Sequence, residues 1–157
     1  FEPLFLMIIL DTNVIAELMR EVPDPKVASW IQGIDPQNLA LTVIAIAEIL
    51  RGIERLPKGK RRQRLEHSFK EFIQKGFRGR IFPFDREAAY VYGGIAAGRE
   101  KAGLSVDPVD LMIAAIAKNL QASIATRNIK DFEECGVTLI NPWELISTNG
   151  ESRKKSR

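Results

Sequence analysis

Cysteine and histidine are nearly missing from this chain: one of each stands among 157 residues. Cys135 alone closes no intramolecular disulfide, which fits a reducing, cytoplasmic setting. His67 alone rules out a two-histidine nuclease, and its place in a basic segment gives a serine triad nothing to use. Long apolar runs are lacking too. The opening FEPLFLMIIL is ten residues with an acid inside it, too short to span a bilayer and without the basic start of a signal peptide. No internal repeat or low-complexity segment stands out.

What remains is an ordinary globular composition, 45% hydrophobic and 27% charged, on a chain whose length fits a single domain of about 150 residues. The formal charge of +3 is unevenly placed. Residues 151–157 carry four basic groups and one acid, so residues 1–150 are neutral overall. Within them, residues 51–80 hold eleven Lys or Arg against three Glu, while the segments on either side are acidic. A basic stretch of this density can hold a polyanion by counterion release, or can simply be a solvated helix face.

Short apolar runs alternate with helical patterns. Strands are expected at Leu6–Leu10, Asn38–Leu41, Arg80–Phe82, Ser123–Ala125 and Val137–Ile140. Helices are expected at Asn13–Met19, Pro25–Gln32, Val43–Leu56, Lys60–Gly76, Arg86–Ala102, Val109–Leu120 and Ile129–Glu134. Asp24-Pro25 and Asp107-Pro108 read as helix N-caps followed by Pro at the first helical position. Strands separated by helices require crossovers, so the fold class is α/β, with a central parallel sheet of about five strands and helices on both faces. Residues 1–6 read as an extension ahead of Met7, residues 7–146 as one domain, and residues 147–157 as a basic disordered tail.

Ligands of open parallel sheets bind beyond the carboxyl ends of the strands. Asp11, Thr12 and Asn13 follow the first strand directly, although all three are also common capping residues. Glu48 interrupts VIAIAEIL, a helix expected to be buried nearly all round. A carboxylate there needs a cation, either Arg51 one turn on or a metal. Asp110 opens DLMIAAIA and shares a face with Ile113, Ala114 and Ala117, or else completes a capping box with Asp107. ATRNIKDF places Thr126, Arg127, Asn128 and Asp131 at a further strand end, where Asn128 and Asp131 also read as a helix start. Carboxylates gathered without His or Cys select Mg²⁺ or Mn²⁺ over zinc, and such ions commonly serve phosphoryl chemistry. Gly93, Gly94 and Gly98 lack the strand and spacing of a dinucleotide loop and read as close helix packing. His67 reads as a surface residue and Cys135 as inert.

With those residues assembled, the sequence resembles the PIN domain family, and within it the VapC and FitB-like toxins of bacterial and archaeal toxin-antitoxin pairs. The resemblance rests on ILDTNVIAE at Ile9–Glu17, TVIAIAEILRGI at Thr42–Ile53, PFD at Pro83–Asp85, DLMIAAIAK at Asp110–Lys118, ATRNIKDF at Ala125–Phe132 and NPW at Asn141–Trp143. It implies a three-layer fold and a cytoplasmic, usually dimeric, Mg²⁺-dependent ribonuclease, with Mn²⁺ able to substitute. A cognate antitoxin would hold it inactive. Asp11, Glu48 and Asp110 match the first three members of an acidic metal-binding quartet. The fourth position is Asn128, where an amide replaces the acid and Asp131 stands three residues on. Thr12, Asn13, Thr126 and Arg127 are the expected substrate contacts. The alternative is a catalytically weak module that works by binding antitoxin and RNA. Aspartyl-phosphate chemistry on Asp11 fares poorly, because DTN lacks the second Asp two residues on.

Overall fold

A computed structural model describes residues 7–145 of the protein. The expected extension at residues 1–6 and the expected tail at residues 147–157 lie outside the described residues. Five strands form one parallel sheet: β1 (Ile8–Leu10), β2 (Leu39–Thr42), β3 (Ile81–Phe82), β4 (Ser123–Ala125) and β5 (Leu139–Ile140), in the order β3-β2-β1-β4-β5. Ile9 sits between Ala40 of β2 and Ile124 of β4, so the first strand is central.

Side chains alternate across the sheet as the pleat requires. Ile9, Ala40 and Ile124 join one core with α5 (Arg86–Lys101) and α6 (Pro108–Leu120). Ile8, Leu10, Leu39, Leu41 and Ala125 join the other with α1 (Thr12–Leu18), α2 (Pro25–Gln32), α3 (Val43–Glu54) and α4 (Lys60–Gly76). The expected α/β architecture, with helices on both faces of about five parallel strands, is the one that forms. Asp24 and Asp107 cap α2 and α6 as their Asp-Pro pairs indicate, accepting from Lys26 N (2.8 Å) and from Val109 N and Asp110 N (2.9 and 3.2 Å).

Three expectations need correction. The segment expected as a helix at Ile129–Glu134 is a short 3₁₀ turn, Ile129–Phe132, cut off because Glu134 and Gly136 both adopt positive φ, 61° and 71°. Helix α3 is not buried all round: Val43 is 39% exposed, and Ala47, Glu48, Arg51 and Gly52 face outward with it. Gly93 and Gly94 serve no close packing among the described residues, since a Cβ at either would meet nothing of them within 4 Å. Only Gly98 comes near a neighbour, its virtual Cβ 3.8 Å from the carbonyl oxygen of Glu134. His67 is on the surface beside Glu71, as expected.

Candidate functional site

The site is built where β1 and β4 end side by side. Asp11 N donates to the carbonyl of Ala125 (2.9 Å), which carries the β1–β4 pairing one residue past the strands and sets Asp11 against Thr126. Asp11 is also the N-cap of α1, its carbonyl accepting from Val14 N and Ile15 N at 3.0 and 3.1 Å. Its carboxylate does not cap in the usual way. Oδ1 accepts from Thr12 N (2.9 Å), while Oδ2 accepts from Thr126 Oγ1 (2.8 Å) and Asn13 Nδ2 (3.1 Å).

Thr126, fully buried, is the hub of this end of the sheet. Its hydroxyl donates to Asp11 and accepts from Asn128 N (3.0 Å) and Asn13 Nδ2 (3.4 Å). Asn13 Oδ1 in turn accepts from Arg127 N (3.0 Å). The polar residues after the first and fourth strands therefore form one network, in which the β1–α1 turn and the ATRN segment orient each other. Thr12 extends it to α3, its hydroxyl donating to Glu48 Oε1 (3.0 Å). Glu48 is exposed, and among the described residues it makes no ion pair with Arg51. The burial argument that singled it out fails, yet its place in the cluster stands on this bond.

Three carboxyls are held above their ordinary range. Asp110, half-buried at the first turn of α6, is pushed up to about 7, first by desolvation and then by the charges of Asp107, Asp11, Asp131 and Glu48. Asp11 is raised by burial, against the hydrogen bonds from Thr126, Thr12 and Asn13, with Asp131 adding repulsion. Glu48 is raised by partial desolvation and by Asp11 and Asp107, against the hydrogen bond from Thr12 and the weaker effect of the Arg51 charge. Five acids thus sense one another across a single mouth, and no basic side chain among the described residues forms an ion pair with any of them. That is uncompensated charge of the kind a divalent cation neutralises.

The donor set suits such an ion, being hard oxygen throughout. Among the described residues no three His, Cys, Asp or Glu stand close enough together to hold a metal ion by themselves. Mg²⁺ does not need three, because it is commonly held by one or two carboxylates with water and substrate phosphate filling its octahedron. Asn128 occupies the cap position of the 3₁₀ turn, but its side chain makes no capping bond and is exposed. Asp131 is the acid on that segment whose charge is felt at Asp11 and Asp110.

Sequence reasoning missed Arg99. It is 3% exposed and among the described residues has no acidic partner, donating instead to the carbonyls of Ser105 (2.8 Å), Glu133 (2.6 Å) and Lys130 (3.4 Å). These carbonyls belong to the loop leading to Asp107 and Asp110 and to the turn bearing Asp131, so one guanidinium ties together two acid-bearing segments. A signal existed. Arg99 falls on the buried stripe of α5 with Ala88 and Ile95, seven and four residues apart, where a solvated Arg has no place. Cys135 lies buried close by, its thiol pushed up chiefly by desolvation, in keeping with an inert residue.

The flanks of the mouth differ. On one side an open groove of about 1110 Å³ runs between α1, α3 and α4, floored by Leu18, Met19, Ile49, Ile53 and Phe72 and rimmed by Arg20, Arg61 and Arg64. On the other, Arg127 lies over the Trp143 ring, 5.0 Å from its centre, beside a polar recess of about 350 Å³. Of the basic run at Gly59–Arg64, Arg62 is engaged with Glu54, while Arg61 and Arg64 face the groove.

The PIN domain model matches residues 8–137. The chain is similar to the VapC ribonuclease Y4jK of Sinorhizobium fredii, 37% identical over 88% of this chain and 99% of that one. It is similar to toxin FitB of Neisseria gonorrhoeae, 35% identical over 87% of this chain and 99% of that one. Among solved structures, FitAcB from Neisseria gonorrhoeae superposes with a TM-score of 0.83 at 35% identity, over 88% of this chain and 100% of the other.

Proposed function

The chain belongs to the PIN domain family, and from that premise we propose that it is a Mg²⁺-dependent endoribonuclease toxin held in check by a cognate antitoxin. The observation that carries this reading is the set of carboxylates without cations at the carboxyl end of the sheet, Asp11, Glu48 and Asp110 with Asp107 and Asp131 around them. The relatives named as a ribonuclease and a toxin support it.

Asp11 and Asp110 are the residues that would hold the ion, and Glu48 the one that completes the site or orients the attacking water. When bound, the ion lowers the pKa of a water, polarises the phosphate and stabilises the leaving oxygen. Thr126 and Asn13 fix the Asp11 carboxylate in one orientation, so little reorganisation is left for the reaction itself. Arg127, at the rim and anchored on Trp143, is placed to hold the scissile phosphate. The basic face of α4 brings the rest of the RNA backbone in by counterion release.

The apolar groove with its arginine rim suits an antitoxin segment that is amphipathic and acidic at its edges. Homodimer formation is supported by α5, where Gly93 and Gly94 lie exposed beside Tyr90, itself 72% exposed. Each glycine costs a helix about 1 kcal/mol relative to alanine, and nothing among the described residues asks for either. A second copy approaching closely supplies a reason. The cytoplasm is the setting that RNA as substrate requires.

The deciding experiment is cleavage of single-stranded and structured RNA with and without Mg²⁺. Turnover should need the ion and fall in Asp11→Asn and Asp110→Asn by more than the roughly 10–100-fold that loss of an outer hydrogen-bond partner costs. Unchanged cleavage in either variant overturns the assignment. RNA binding that survives chelation, with no turnover in the wild type, returns the protein to the binding-module alternative.

A further inference from the structure

The recess beside Arg127 has a composition unlike a phosphate site. Its walls bring together the donors Arg127, Asn128 and Lys130 and the acceptors Asp131 and Glu144, with Asn141 closing one side. Two carboxylates repel a phosphate, yet donors line the same recess. Matched donors and acceptors in one polar hollow are what the edge of a nucleobase requires. The volume, about 350 Å³, is at the small end of ligand pockets, a size for one nucleotide unit rather than a duplex.

The recess adjoins the reacting centre through covalent and hydrogen-bonded steps already described. Asn128 follows Thr126 by two residues, and its backbone N–H bonds the same hydroxyl that holds Asp11. A base lodged there belongs to a nucleotide next to the scissile phosphate. The backbone N–H of Trp143 donates to Asn141 Oδ1 (2.9 Å), and Arg127 rests on the buried Trp143 ring, so the guanidinium offers its other face for a base to stack on. Neither Asn128 nor Glu144 spends its side chain on a hydrogen bond or ion pair among the described residues.

We infer that this recess is a base-reading subsite and that it selects guanine. Guanine alone among the four bases presents two N–H donors side by side on its Watson–Crick edge, with a carbonyl acceptor beside them. A carboxylate accepts both donors at once. Of the two carboxylates, Asp131 also lies near enough to Asp11 and Asp110 for its charge to be felt there, and the pairing is assigned to Glu144, which is exposed and makes no ion pair among the described residues. The amide of Asn128 or the ammonium of Lys130 then donates to the guanine O6. On this account the amide at Asn128 is suited to reading a base, a task in which an acid would repel that carbonyl.

The inference rests on the ribonuclease reading for its meaning but not for its test. The full chain is titrated in chelator with four single-stranded RNA hexamers, a uridine strand carrying G, A, C or U at one interior position, with binding read from Trp143 fluorescence in a Trp30→Phe background. The G-containing hexamer should bind on the order of tenfold more tightly than the others, the discrimination expected of one bidentate pair. Glu144→Gln should erase that difference while leaving the common, salt-sensitive component in place. Equal binding of all four hexamers, or a guanine preference that persists in Glu144→Gln, overturns the inference. A guanine preference without Mg²⁺-dependent cleavage defeats the nuclease reading alone, and cleavage without any base preference defeats this inference alone.

Discussion

Asp110 shows how a single residue links chemistry to stability. A carboxyl raised from 3.8 to about 7 keeps its proton in the folded state over a range where the unfolded chain has lost it. Ion-free protein therefore loses stability as pH rises from about 4 to 7 through this group, the reverse of an ion-paired acid. Asp110→Asn should flatten that decline and stabilise the ion-free protein at pH 8 by about 1–2 kcal/mol, a figure discounted for the partial exposure of the group. Urea denaturation in chelator at pH 5.5 and pH 8 measures it. At Thr126 the expectation runs the other way. Thr126→Val strands the N–H of Asn128 and frees the Asp11 carboxylate, so stability should fall by about 1–3 kcal/mol and RNA turnover by about 10–100-fold.

These two residues also show what the sequence could reveal. Asp11, Thr12, Asn13 and Thr126 were legible because the carboxyl end of a parallel strand is where such folds bind ligands, and no packing detail was needed. Glu48 was found by a faulty route, since hydropathy alone cannot tell a helix buried all round from one with an outward apolar flank. Asn128 was legible as a departure from a family pattern, but its neighbours Asn141 and Glu144 lie beyond another strand and share no local spacing with it.

At the level of elements, the boundary errors have a common origin. Short turns are decided by backbone conformations such as the positive φ of Glu134, which a non-glycine residue does not advertise. Arg99 belongs to this level because it joins elements that sequence reading treats one at a time: α5, the loop before α6, and the 3₁₀ turn. Arg99→Met removes three hydrogen bonds from a buried guanidinium to loop carbonyls and should cost about 2–4 kcal/mol, seen as a lower midpoint in urea. Arg99→Lys keeps the charge but not the fork, and should recover only part of it. Because the tie reaches both acid-bearing segments, Mn²⁺ affinity measured calorimetrically on the folded fraction of either variant should weaken too. Helix α4 makes a second case. Neutralising Lys60, Arg61 and Arg64 should weaken RNA binding and flatten its dependence on salt, with little change in stability, since all three are exposed.

For the whole molecule, the net charge of +3 was a poor guide. The sheet places the acids from both flanks of the sequence at one end, while the basic residues of 51–80 lie mostly on one helix. The assembly expected of two copies can be tested on α5 without disturbing the fold, because Gly94 opens onto free space. Gly94→Leu should keep the circular dichroism spectrum of the fold, give the isolated chain up to about 1 kcal/mol of added helix stability, and shift the sedimentation coefficient from dimer to monomer.

The position of β1 in the middle of the sheet has a consequence for the life of the chain on the ribosome. Asp11 emerges early, but two of the groups that orient it, Ala125 and Thr126, lie more than a hundred residues later, and β1 gains its second neighbour only once β4 is made. Contacts so distant in sequence form late. A nascent chain therefore carries its first acid through nearly the whole of its synthesis without a working site around it. At about 5–20 residues per second, several seconds separate the synthesis of Asp11 from that of Thr126, and on the proposed ribonuclease reading the unfinished chain leaves RNA uncut over that interval.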